Sequence, residues 1–226
     1  MKNLSLLLLF TMLGTSITIA QDQIQDQIQD RDQDRLMMVD GDVLQIRDRD
    51  QIRLQEPIIL NDGTVVNSDG SYVTKDRKRL VLKDGECLDN DGIKYRNEYQ
   101  YRYKVKRENT GLNQDQINER NQNRYQIMKI DGETYQIRNR EQNRIQNQVN
   151  LGDGIIVNPD GSYQNEKREQ LRLKEGECLN MNGAMFKNLY QHRKMTVQKN
   201  KMINRNTIKS GVKKPNTKKK GKKSGQ

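Results

Sequence analysis

The chain has no tryptophan, two phenylalanines, one histidine and two cysteines in 226 residues. With a hydrophobic content of 32%, this shortage of large apolar side chains limits what one core could gather, and it predicts small cores rather than a single large one. Two cysteines, Cys87 and Cys178, stand 91 positions apart, which excludes a C-x-x-C redox or zinc pattern. Long apolar runs are missing too. The longest, Leu4 to Leu13, falls short of the roughly 20 residues a membrane span needs, so no transmembrane segment is expected. Acidic residues are missing from one end: Arg193 to Gln226 carries 13 Lys and Arg and no Asp or Glu.

What is present at the N-terminus is MKNLSLLLLFTMLGTSITIA, a cation at Lys2, an apolar run and a small-residue end at Ala20. That is the layout of a secretory signal peptide, and it predicts an exported protein, periplasmic or extracellular. The net charge of +11 is uneven, because residues 21 to 192 hold 27 basic against 30 acidic groups and the C-terminal stretch holds the excess. A near-neutral body with a basic arm is the organisation this implies.

The body is duplicated. MVDGDVLQIRDRDQIRLQ matches KIDGETYQIRNREQNRIQ, LNDGTVVNSDGSY matches LGDGIIVNPDGSY, and RLVLKDGECLDNDGIKYRNEYQ matches QLRLKEGECLNMNGAMFKNLYQ, all at a spacing of 91. Within a copy the apolar runs are short: Met37 to Val39, Val43 to Ile46, Ile58 to Leu60, Thr64 to Val66, Ser71 to Val73, Leu80 to Leu82 and Cys87 to Leu88. Asp-Gly pairs at 40–41, 62–63, 69–70, 84–85 and 91–92 separate them, and the second copy repeats all five turns. Asp-Gly between β-formers predicts hairpins whose central residues both take positive φ. Leu80 and Leu82 are expected to face inward with Val81 outward, since the middle position becomes Arg172 in the second copy. The fold expected is all-β, two tandem small antiparallel meander or roll domains with disordered linkers and tail. The divisions are a signal peptide at 1–20, a Gln/Asp-rich low-complexity segment at 21–35, β-repeat domains at 36–104 and 127–193, a polar linker at 105–126 and a Lys-rich disordered tail at 194–226.

The run LNDGTVVNSDGSYVTKDRKRLVLKDGECLDNDG, with its copy from Leu151 to Gly183, resembles a domain-of-unknown-function family found in exported bacterial proteins. The likeness lies in the order of short strands, D-G or N-G turns and a G-E-C segment. It implies fold and export and carries no catalytic residue. Arg49-Asp50-Gln51 departs from the pattern, which leads one to expect another Gly-containing turn there.

Four candidates for chemistry remain. In LKDGECLDNDG an EF-hand register would place Asp89, Asp91 and Glu98 on ligand positions, but Cys87 falls on the first and the second copy has Asn180, Asn182 and Leu189. The segment therefore reads as a strand between tight turns. Cys87 and Cys178 either bridge the domains or two chains in an oxidising compartment, or pack singly as small apolar residues. A Ser-His-Asp or Cys-His set would rest on His192 alone, where the first copy has Tyr101, so an exposed histidine is expected there. The tail, with Lys213, Lys214, Lys218, Lys219, Lys220, Lys222 and Lys223, suits anionic polysaccharide, lipid head groups or extracellular DNA, with a mere solubilising tail as the competing reading. No cofactor, metal site or catalytic residue is expected. The expectation is a non-enzymatic structural or interaction protein, with a hydrolase using turn carboxylates on an envelope polymer as the alternative.

Overall fold

A computed structural model describes residues 34–211. The protein is mostly β and antiparallel throughout, in two repeats. In the first, β1 (Asp34–Val39) and β2 (Asp42–Arg53) form a long hairpin. Four short strands follow as a meander, β3 (Ile58–Ile59), β4 (Val65–Val66), β5 (Ser71–Val73) and β6 (Arg79–Val81), and then come β7 (Cys87–Asp89), β8 (Lys94–Tyr95) and helix α1 (Glu98–Glu108). A short helix α2 (Gln114–Asn123) leads to the second copy: β9 (Tyr125–Ile130), β10 (Glu133–Arg144), the meander β11 (Val149–Asn150), β12 (Ile156–Val157), β13 (Ser162–Gln164) and β14 (Gln170–Arg172), then β15 (Cys178–Asn180), β16 (Met185–Phe186) and α3 (Leu189–Gly211).

The turns set these short strands. Asp40 and Gly41 both take positive φ, 52° and 75°, as do Asp131 and Gly132, so each long hairpin closes on two left-handed residues as expected. The Asp-Gly pairs inside the first meander work differently. In Leu60–Thr64 only Gly63 is left-handed, and the Gly63 N–H donates to the Leu60 carbonyl at 3.0 Å. Asp62 uses its side chain instead, accepting from the Thr64 N–H at 2.9 Å, and Asp69 serves Ser71 likewise at 2.8 Å. Arg77 and Arg168, at φ 61° and 62°, take the left-handed position in hairpins that have no glycine to announce them.

The repeats exchange hairpins. The central eight-stranded sheet runs β16-β15-β1-β2-β10-β9-β7-β8, so the hairpin of each repeat pairs with a strand of the other. Leu36 lies opposite Leu179, and 91 residues on Ile127 lies opposite Leu88. β2 and β10 meet at the centre, where Asp48 faces its own equivalent Asn139 across a register shift, marking a pseudo-twofold axis. Arg49-Asp50-Gln51 is therefore strand at this irregularity and not a turn.

Alternation along the strands divides the sheet into two buried faces. On one, Leu36, Met38, Val43 and Leu179 pack on the second meander through Ile155, Val157, Tyr163 and Leu173. Leu88 and Ile127 pack on the first meander through Leu60, Val66, Tyr72 and Leu82. On the other face lie α1 and α3, with Tyr101, Val105 and Val197 against Cys87, Met128, Ile130 and Ile137, and Leu189 against Met37, Leu44, Ile46 and Cys178. At about 1.5–3 kcal/mol per fully buried aliphatic side chain, each small meander core depends on a hairpin supplied by the other repeat.

Three expectations change. Residues 105–126, read as a polar linker, contain the end of α1 and all of α2, whose Asn113 and Gln116 form a reciprocal capping box. Residues 194–211 of the expected tail continue α3. Leu80 lies opposite Tyr72 on the inward side of its strand but at the edge, 45% exposed, as Leu171 is 41%, so of Leu80 and Leu82 only Leu82 is buried.

Candidate functional site

The densest gathering of ionisable groups lies under α1 and α3 at the pseudo-twofold axis. Arg35 of β1, Asp48 of β2, Glu98 and Arg102 of α1 and Arg193 of α3 are all buried. Arg102 donates to Asp48 Oδ1 at 2.9 Å and to Glu98 Oε1 at 2.8 Å. Arg193 donates to Asp48 Oδ2 at 2.8 Å and to both Glu98 oxygens at 2.6 Å. Arg35 reaches Asp48 at 2.5 Å. Asn139, Gln126 and Gln51 complete the shell, the first two bonded to Arg102 and Glu98 and the third to Arg193.

The duplication explains the composition of this cluster. Arg102 and Arg193 are equivalent, whereas Asp48 pairs with Asn139, Arg35 with Gln126 and Glu98 with Leu189. One copy keeps the charge and the other a neutral residue, so three guanidiniums face two carboxylates. Burial pushes both carboxyls up, but Arg193, Arg35 and Arg102 around Asp48, and Arg193 and Arg102 around Glu98, overcome it and hold both below the usual range. Both carboxylates stay ionised and each accepts from at least two guanidiniums, which suits a clamp between the repeats rather than proton transfer.

His192 is 3% exposed, against the expectation of an exposed histidine. Phe186 meets it edge-on at 5.0 Å, and neither ring nitrogen has a hydrogen-bond partner. Burial, with Arg35 and Arg193 nearby, lowers its pKa to about 3, so it is a neutral packing residue at neutral pH.

Cys87 and Cys178 are free and buried. They sit on β7 and β15, with β9, β10, β2 and β1 between them. At nearly 5 Å per strand step the thiols are far beyond bonding reach, so the intramolecular bridge is not formed. Each thiol packs instead, and burial raises Cys178 to about 12 and Cys87 well above its ordinary value.

The G-E-C segment resolves into turn chemistry. Gly85 takes φ 85°, the Glu86 N–H donates to the Lys83 carbonyl at 3.0 Å, and the Glu86 carboxylate accepts from the Lys83 N–H at 2.9 Å. Gly176 and Glu177 repeat the arrangement. The Gly85 N–H also donates to Lys129 of β9 and the Gly176 N–H to Met38 of β1, stitching each turn to the other repeat. Asp89 accepts from the Asp91 and Ile93 N–H groups, from the Tyr95 hydroxyl and from Lys104. Asn180 accepts from Asn182 and Ala184 in the same way, so this position builds a turn with or without a carboxylate. Glu98, the last ligand of the calcium register, lies in the buried clamp. Among the described residues no group of three or more His, Cys, Asp or Glu is placed to hold a metal ion.

Beside α2 is a recess of about 320 Å³ lined by Asp89, Asp91, Tyr101, Lys104, Arg120 and Arg124. Its charges are engaged with neighbours: Lys104 pairs with Asp89 at 2.7 Å and Arg124 with Glu108 at 2.7 Å. No helix among the described residues is long and apolar enough to cross a membrane. Residues 1–20, where a signal peptide is expected, residues 21–33 and the lysines at 213, 214, 218, 219, 220, 222 and 223 lie outside the described residues.

Fold and clamp together define a duplicated antiparallel β protein whose repeats complete one another across a pseudo-twofold axis. The family described as "Domain of unknown function (DUF6799)" matches residues 33–93 and 124–185. These matches cover more than half of the chain, and the protein belongs to this family as a tandem pair. No curated protein and no solved structure matches it.

Proposed function

We propose that the protein is exported and non-enzymatic, a structural or interaction protein whose C-terminal cations bind anionic envelope polymers or surfaces. The observation that carries this reading is the charge distribution: 13 cations and no acid from Arg193 onward, Arg193 itself being held in the clamp, beside a body of 27 basic and 30 acidic residues. Such an arm attracts polyanions by counterion release. The leader-like pattern of residues 1–20 supports export, which would place lipid head groups, acidic polysaccharide and extracellular DNA within reach. The hydrolase alternative has less to rest on, because Asp62, Asp69, Asp89 and Asp160 are occupied with turn N–H groups.

The test is binding of the full chain to DNA and acidic polysaccharide across a salt series, beside a variant with all seven lysines from 213 to 223 changed to Gln. For duplex DNA, engagement of all seven gives a slope of log K against log salt near −6, at about −0.9 per phosphate neutralised. Equal binding by the variant would remove the tail from the account.

A further inference from the structure

The two meanders have the same backbone and unlike outer faces. In the first, Val66 and Tyr72 point into the core, so the residues that alternate with them point outward: Ile59 opposite Val65, Val65 opposite Val73, Val73 opposite Arg79, and Ser71 opposite Val81. Ile59 is 69% and Val81 58% exposed, with Val65 and Val73 half-buried between them. The equivalent face of the second meander carries Asn150, Ile156, Gln164 and Arg172. Four branched aliphatic residues in one copy thus stand where the other has one.

The same hairpin carries the charge. Its turn and second strand read KDRKR, and Lys75, Arg77, Lys78, Arg79 and the following Lys83 are all exposed and make no ion pair among the described residues. The second copy has Glu166 and Glu169 in place of Lys75 and Lys78, and there Asn165 bonds Glu169.

We infer that the outer face of the first meander, Ile59, Val65, Val73 and Val81 with the cations of 75–83, is a docking surface for an anionic lipid bilayer. Cations beside exposed aliphatic side chains match a layer of negative head groups over acyl chains, the pairing that governs interfacial binding. A soluble polyanion would use the cations and leave the aliphatic row without a role. A second copy docking face to face would bring five further cations against these five. The site does not depend on the C-terminal arm.

The test uses the full chain with vesicles of anionic phospholipid, vesicles of zwitterionic phospholipid, and soluble acidic polysaccharide. Variant residues come from the second repeat, whose fold already carries them. Ile59→Asn, Val73→Gln and Val81→Arg together remove apolar surface while adding a positive charge, so any purely electrostatic binding would strengthen. The expected result is anionic-vesicle affinity at least about tenfold weaker, with polysaccharide binding no weaker than that of the parent chain. Lys75→Glu with Lys78→Glu is expected to weaken vesicle binding by roughly thirtyfold or more. Zwitterionic vesicles should bind none of the chains appreciably. Vesicle binding that responds to the charge pair but not to the apolar set would overturn the inference and leave the hairpin as a contact for soluble polyanions. A parallel variant with Lys218, Lys219 and Lys220 changed to Gln separates the two sites. If it alone abolishes vesicle binding, the meander surface is refuted while the arm stands.

Discussion

Replacing Asp48 by Asn introduces at the axis the residue that the second repeat carries at Asn139. The side chain keeps its shape and loses its charge, and three guanidiniums lose a shared anion and one of its two acceptor oxygens: Arg35 at 2.5 Å, Arg193 at 2.8 Å and Arg102 at 2.9 Å. Among the described residues Glu98 is then the only carboxylate facing Arg35, Arg102 and Arg193, and all four are buried. Removing one partner from a buried ionic cluster costs about 3–5 kcal/mol, because the remaining charges stay desolvated without compensation. Urea unfolding at neutral pH measures this directly, with an unchanged m-value as the check that the same surface is exposed. Adding Arg35→Gln, the residue of Gln126, removes one of the stranded cations. The double variant should therefore be less unstable than the two single losses summed, by about 1–3 kcal/mol. A loss below about 1 kcal/mol in Asp48→Asn, or simple additivity in the double variant, would refute the reasoning that the clamp holds the repeats together.

The clamp and His192 act in different pH windows. Asp48 and Glu98 have folded values below their unfolded ones, so their contribution is complete above about pH 4.5 and is lost as pH falls toward the folded values. His192, at about 3 folded against 6.5 unfolded, makes stability decline from about pH 6.5 downward, because the unfolded chain takes up the proton first. His192→Leu should flatten stability between pH 6.5 and 4.5, and an unchanged slope in chemical denaturation across that range would contradict the burial argument. Gly161→Ala should lower the melting temperature, since Gly161 has φ 84° and an added Cβ would collide with the Met38 side chain of the exchanged hairpin. Alanine at Gly154, where φ is 72° but no atom lies close, should cost less in the same melt. A chain ending at residue 123 leaves β1, β2 and β7 without β15, β10 and β9, so light scattering should find it unfolded or paired with a second copy. A folded monomer would contradict the exchange.

Many of the strands were legible because Asp-Gly pairs and short apolar runs report local geometry and recur at the repeat period, although the Asp-Gly pairs at 62–63 and 69–70 and the exposed Leu80 departed from the reading. The second half of β2 was less legible. Arg49-Asp50-Gln51 reads as a further turn, yet it is strand at an irregularity: Asp48 and Gln51 face the helices, where Arg193 bonds both, and Asp50 pairs with Arg138 on the neighbouring strand. Glu98 and Arg102 stand one helical turn apart, a signal for α1 that the polar composition around them obscured. The clamp itself joins residues up to 158 positions apart, and no local pattern carries that. Equivalence did carry part of it: Asp48 against Asn139 and Arg35 against Gln126 are unlike residues at matched positions, as expected where two copies meet at one axis. Hairpin exchange could not be read, because Leu36 would bury equally well against Leu88 of its own repeat or Leu179 of the other.

That ambiguity is where the account is most directly testable. Cross-strand nuclear Overhauser effects between backbone protons distinguish the two pairings in solution without altering the chain. The exchanged fold predicts contacts of Leu36 with Leu179 and of Ile127 with Leu88. Contacts of Leu36 with Leu88 and of Ile127 with Leu179 would show two self-contained repeats and contradict it.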